Sequence, residues 1–238
     1  MVPNLIGGQV VLYRERWSDM AEEIREHWDL DYVITDIDYL EGCWAVVMSE
    51  VYNWYGQSCF RSSEFPQDKI QEAWDEGRYI TSIAYSGSYW VVVTTRVEDC
   101  SAQAYVVGSW SHCLSEVENL WEKKAYVTSI ACDGDFYVFV CSKFGRSFSQ
   151  RIKSYSRPRG AKQILGTCAE DEMIVDLFDM NGDLTVVTSS GMLYSKQGVC
   201  ISSSISELRL DIKSNWSSGY KITTIAYYGG RYIAVVTK

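Results

Sequence analysis

One phrase recurs five times along this 238-residue chain. A large apolar residue and a short polar gap lead into Ile-Thr-x-Ile-Ala-Tyr, a Gly turn, an aromatic and a Val-rich run, with copies opening at Trp28, Trp74, Trp121, Cys168 and Trp216. The first strand of each copy opens at Ile34, Ile80, Val127, Ile174 and Ile222, in steps of 46, 47, 47 and 48. The second opens at Trp44, Trp90, Tyr137, Leu184 and Tyr232, displaced by the same amounts. A period in the 40s belongs to propellers or helical arrays, whose units bury their faces only against neighbours.

The internal pattern chooses between these. Tyr79 to Tyr85 and Trp90 to Thr94 are β-branched and aromatic runs separated by Ser86-Gly87-Ser88, which is a hairpin signal. Equivalent glycines sit at Gly42, Gly87, Gly134, Gly182 and Gly229, where a tight connection favours positive φ. A third strand opens on a Gln, at Gln57, Gln103, Gln150 and Gln197, and an orphan copy, Gln9 to Tyr13, stands near the N-terminus. Short stretches such as Met20 to Trp28 and Pro66 to Trp74 place an apolar residue four before the Trp, the spacing of one helix face.

These features predict a mainly β fold: a five-bladed β-propeller of about 47-residue repeats, each a three-stranded blade plus a short helix. The fifth repeat lacks a third strand after its hairpin, so the orphan strand is expected beside it, closing the ring by N-terminal strand exchange. A single domain over 1–238 follows, with repeats near 14–62, 63–108, 109–155, 156–202, and 203–238 completed by 4–13. No apolar run is long enough to cross a membrane as a helix. Met1 to Gly8 has neither a basic start nor an apolar core, which predicts no secretory leader. Cys43, Cys59, Cys132, Cys141 and Cys200 replace Tyr, Val or Ala of other repeats, and no CxxC pair occurs. Buried thiols in a reducing compartment, and no structural zinc, are the expectation.

The phrase W-x-x-G-Y-x-I-T-x-I-A-Y-x-x-x-x-W-x-V-V, carried best by Trp74 to Val93 and Trp216 to Val235, resembles a repeat found behind kinase domains. It is similar to the C-terminal region of plant casein-kinase-I-like kinases and to free-standing or kinase-linked repeat proteins of microbes. The resemblance covers nearly the whole chain and implies a non-catalytic accessory or interaction domain. No Gly-rich phosphate loop, HRD or DFG motif is present.

Catalytic material is sparse. His27 and His112 are the two histidines, and a His112–Cys113 pair has no third orienting group. Asp36 and Asp38 share one strand face, where other repeats carry Ser82/Ala84 and Ser129/Ala131, so a polar lining outweighs acid–base or cation work. The recurring Gln and Trp positions could serve a fivefold carbohydrate site. Amides that satisfy a neighbouring blade's backbone, and indoles that pack blade on blade, are the favoured reading.

Features that break the repeat are better functional clues. Between Lys143 and Lys162 stand Lys143, Arg146, Arg151, Lys153, Arg157, Arg159 and Lys162 without an acid, in a chain of formal charge −9. This segment is either a solvated loop or the docking site of an acidic or phosphorylated protein partner, since Arg grips carboxylate and phosphate bidentately. Its interleaved Phe144, Phe148 and Tyr155 resemble a single-strand binder's pattern, but a pI near 4.8 argues against nucleic acid. A second break, Val51-Tyr52-Asn53-Trp54-Tyr55, offers Tyr52, Trp54 and Tyr55 as contact anchors or as a cover over the hairpin. The sequence thus points to a cytoplasmic, non-catalytic interaction or scaffold propeller without cofactor or metal. The alternative is a lectin-like binder of carbohydrate or small ligands at repeated inter-blade sites.

Overall fold

The computed structural model describes residues 3–156, 161–166, 168–180, 182–192 and 194–238. They form two compact units, residues 3–147 and 148–238, where the repeat alone predicts one domain.

The first unit runs strand, helix, hairpin three times. Its elements are β1 (Leu5–Arg14), α1 (Trp17–Trp28), β2 (Val33–Leu40) and β3 (Cys43–Val51); β4 (Trp54–Ser62), α2 (Gln67–Asp75), β5 (Tyr79–Tyr85) and β6 (Trp90–Val97); β7 (Cys100–Gly108), α3 (Trp110–Glu122), β8 (Ala125–Cys132) and β9 (Tyr137–Phe144). The second unit repeats the order twice, as β10 (Gln150–Ser156), α4 (Ala161–Leu165), β11 (Glu172–Met180) and β12 (Asp183–Ser190), then β13 (Gln197–Ser202), α5 (Ile205–Ser217), β14 (Lys221–Tyr228) and β15 (Arg231–Thr237).

Five antiparallel three-stranded sheets result, ordered β1-β3-β2, β4-β6-β5, β7-β9-β8, β10-β12-β11 and β13-β15-β14. The second hairpin strand is central in each, and the Gln-bearing strand pairs with the hairpin that follows it. This corrects the expected closure. β1 pairs with β3, from Leu5 opposite Val51 to Arg14 opposite Trp44, and β15 is paired on both sides by β13 and β14. Each sheet is therefore contiguous in sequence and needs no borrowed terminal strand. β1 and β2 run parallel on either side of β3, and parallel strands need a crossover connection of about a dozen residues. The helix is that crossover. α1, α3 and α5 reach 12, 13 and 13 residues, longer than the one or two turns expected.

The crossover helices also fill the space between sheets. Met20 and Ile24 of α1 pack with Ile34, Trp44 and Met48 of the first sheet and Val91 and Val93 of the second. Ile70 of α2 does the same between Ile80 and Trp90 of the second sheet and Val138 and Val140 of the third. In the second unit Ile164 of α4 lies among Ile174, Leu184, Ile233 and Val235. The hairpin glycines adopt the expected positive φ, +82° at Gly87 and +100° at Gly134.

A β-bulge marks the Ile-Thr-x-Ile phrase in every sheet. The register slips by one residue at Thr35, Thr81, Thr128, Val175 and Thr223. Where the extra residue is Thr, its hydroxyl can take a local partner. Thr35 Oγ1 donates to Val47 O at 3.3 Å, and Thr81 Oγ1 meets Thr95 Oγ1 at 2.9 Å. The recurring Thr is thus bulge chemistry.

Candidate functional site

β2, β5 and β11 present one unpaired edge, and the next sheet supplies their partners. Gln57 on β4 accepts from Ile34 N at 2.7 Å and donates to Ile34 O at 2.9 Å, so its amide imitates a strand paired to β2. The same oxygen accepts the Trp28 indole N–H at 2.9 Å, and the nitrogen also donates to Thr95 Oγ1 at 2.8 Å. Gln103 repeats the clasp on Ile80, at 2.7 and 2.8 Å, with Trp74 and Ser142 as its other partners. Gln197 clasps Ile174 at 2.7 and 3.0 Å. The fourth repeat has Cys168 where the others have Trp, which removes the indole donor there. An amide carries two donors and one doubly accepting oxygen. Gln57 and Gln103 use all four places inside the protein, as the backbone-satisfying reading expects.

Serines complete the seam. Ser82 Oγ accepts from Ile37 N at 3.1 Å and donates to Asp36 Oδ1 at 3.2 Å, and Ser129 Oγ accepts from Ile83 N at 3.3 Å. Asp36 is thereby part of the contact between the first two sheets, while Asp38 Oδ1 accepts from Tyr39 N at 2.7 Å.

The His112–Cys113 pair lies on α3. Cys113 Sγ is fully buried against the carbonyls of Tyr137 and Gly108, and burial pushes its thiol up to about 11. A thiol so placed is a poor source of thiolate at neutral pH. Burial likewise pushes Cys59 and Cys141 up to about 12. Among the described residues no group of three His, Cys, Asp or Glu side chains is placed to hold a metal ion. No helix among them is long and apolar enough to cross a membrane. A surface recess of about 450 Å³ opens where β4 passes into α2, between Ser62 and Lys69.

The features that break the repeat are distributed unevenly. In the first unit the hairpins mark one end of every sheet, and the links from one sheet to the next mark the other. Tyr52 stands in the link between β3 and β4, and Tyr55 at the start of β4; they are 75% and 52% exposed. Trp54, between them, is 5% exposed and packs against Val97, Cys100, Val51 and Phe144. Alternation along a strand sends successive side chains to opposite faces. Trp54 therefore leaves the set of contact residues and joins the core, the covering role that the sequence left open.

Lys143, at the link end of β9, is exposed, and so is Arg146 beyond it. The structure thus brings the first two cations of the basic segment to the same end of the first unit as Tyr52 and Tyr55. Arg151 and Lys153 belong to β10 of the second unit. Lys153 is exposed, but Arg151 pairs with Glu172, whose Oε2 also accepts from Ala169 N and Thr188 Oγ1, each at 3.1 Å. Burial pushes the Glu172 carboxyl up, and these donors outweigh it to hold the group below its ordinary value. Arg151 is thereby spent within its own sheet. Arg157 and Arg159 lie outside the described residues, as does the side chain of Lys162.

The boundary at residue 147 exposes a division that sequence reading missed. Residues 1–147 carry 23 Asp and Glu against 11 Lys and Arg, a formal charge of −12. Residues 148–238 carry 8 against 11, a formal charge of +3. A running charge balance along the chain would have found it.

Five sheets of one design, with a recurring amide clasp between successive sheets inside each unit, define the class: a β-sheet repeat protein. The chain belongs to the family described as a domain of unknown function (DUF7477), whose model matches residues 9–159. No curated protein matches the chain.

Proposed function

We propose that this protein is a non-catalytic interaction scaffold whose five sheets are the blades of a propeller. It acts in the cytoplasm and binds an acidic or phosphorylated protein through the basic segment. The observation that carries the reading is the division of labour among polar side chains. Those that obey the repeat, Gln57, Gln103, Ser82 and Ser129, hold sheet to sheet, whereas Lys143, Arg146, Lys153, Tyr52 and Tyr55 break it and face solvent. Selection for contact acts on exposed side chains that the repeat does not require.

The same commitment weighs against a lectin-like reading, because two of the amides it would use, Gln57 and Gln103, are already saturated. The propeller rests on the regular clasp between successive sheets within each unit. A compact 238-residue ring has a radius of gyration of about 18 Å, so solution scattering that gives a clearly larger value sinks the ring.

The interaction reading is tested by affinity capture with wild type and with Lys143→Ser, Arg146→Ser, Lys153→Ser combined. Arg151 stays intact because it stabilises its sheet. A partner rich in carboxylates or phosphate, retained by wild type and lost from the variant, is the expected result. An unchanged catch removes the basic segment from the function.

A further inference from the structure

Six large hydrophobic side chains among the described residues are well exposed, and four of them gather at the link end of the first two sheets. Ile6 (61%) lies on β1 beside the pairing of Leu5 with Val51, and Tyr52 N donates to Asn4 O at 3.3 Å. Leu30 (64%) follows α1, two residues beyond the Trp28 that bonds Gln57, and Tyr55 lies two residues before that same Gln57. The packing of Gly8 against Tyr32, where an added Cβ would fall 2.0 Å from the hydroxyl, draws β1 toward the segment that carries Leu30.

Carboxylates frame this patch. Asp29 and Asp31 flank Leu30, and both are exposed. Glu98 and Asp99 are exposed as well and are tied to the Tyr52 turn: Glu98 N donates to Asn53 O at 3.3 Å and Asn53 Nδ2 to Asp99 Oδ1 at 3.5 Å. Glu50 accepts from Gly8 N at 2.9 Å. Among the cations, Arg96 lies opposite Tyr55 with its Nη2 donating to Glu76 O at 3.3 Å, and Lys143 and Arg146 belong to the third sheet. The unit behind the patch carries −12. Exposed apolar side chains in a rim of net negative charge, here Asp29, Asp31, Glu50, Glu98 and Asp99 against Arg96, mark a contact surface, and the field selects a partner of the opposite sign.

We infer that the surface formed by Ile6, Leu30, Tyr52 and Tyr55 docks a basic protein segment in which Lys or Arg alternates with apolar residues. The inference rests on the reading of the chain as an interaction module, but it assigns a second surface with a partner opposite in charge to that of the basic segment.

The probe is a fluorescent 12-residue peptide of alternating Arg and Leu, titrated at two salt concentrations and compared with peptides carrying Glu for Arg or Ser for Leu. Wild type is expected to bind the first peptide at least tenfold more tightly than either control, and more weakly at high salt. Leu30→Ser with Tyr55→Ser should lower affinity about tenfold or more, and so should Asp29→Asn, Asp31→Asn, Glu98→Gln, Asp99→Asn together. All six positions are exposed, so unchanged urea midpoints confirm folded variants. Loss in the acidic variant alone means bulk charge attraction and overturns the proposal. So does sedimentation showing a dimer that Tyr55→Ser dissolves, because the occupant is then a second copy. Failure of the capture experiment with the Lys143, Arg146 and Lys153 variant leaves this titration unaffected.

Discussion

The two units are built from the same sheet yet differ in charge, −12 against +3, and in how tightly their sheets are clasped. In the first unit each clasping Gln has four partners, including an indole and a hydroxyl of its own sheet. In the second, Gln197 holds Ile174 alone; Cys168 replaces the Trp, and Thr237 Oγ1, at the position of Thr95, is buried without a partner. Bulge, glycine turn and apolar run are the same in both. The repeat therefore preserves what pairs strands and packs sheets, while surface charge and redundant hydrogen bonds diverge because folding tolerates their change.

Several substitutions sharpen or break this contrast. Trp54→Ala should have the largest effect, about 3–5 kcal/mol from the cavity it leaves against Val97 and Cys100. A urea midpoint shift equivalent to less than about 1 kcal/mol would show that Trp54 is a surface anchor after all. Gln57→Ala should cost about 2–3 kcal/mol, because the buried Ile34 amide and the Trp28 indole lose their acceptor, and Gln197→Ala about 1–2. Equal losses would abolish the distinction between tight and loose clasps.

Glu172→Gln should destabilise by about 1–3 kcal/mol through its buried charged hydrogen bonds. Its depressed folded pKa contributes stability that is fully present above the ordinary carboxylate value and lost as pH falls through the folded one. Wild type should thus lose stability on acidification more steeply than Glu172→Gln, and parallel pH profiles would refute the assignment. The smallest effect belongs to Tyr52→Ala, within about 0.5 kcal/mol for so exposed a side chain.

The aromatic loop shows how far a site is legible from sequence. Its three aromatics in five residues announce something unusual, and strand alternation places Tyr55 opposite to Trp54. Which face is inward depends on Val97 and Cys100, some forty residues away, and no local pattern announces them. Arg151 teaches the same lesson. It reads as one cation among seven until the register of β10 and β11 on β12 sets it beside Glu172.

The sequence by itself determined five hairpins, their turns, the helices and the Gln strands, because period, glycine placement and apolar alternation are local and repeated five times over. It did not determine which hairpin each Gln strand joins. A strand lying between two equivalent hairpins reads the same whether it closes the one before or opens the one after, since translation along the repeat leaves the pattern unchanged. Only the tertiary structure broke that tie. The helix after each Gln strand supplies the crossover that sets this strand and the first hairpin strand parallel about a common neighbour. Gln57, Gln103 and Gln197 are then placed to pair with the open edge of the preceding sheet.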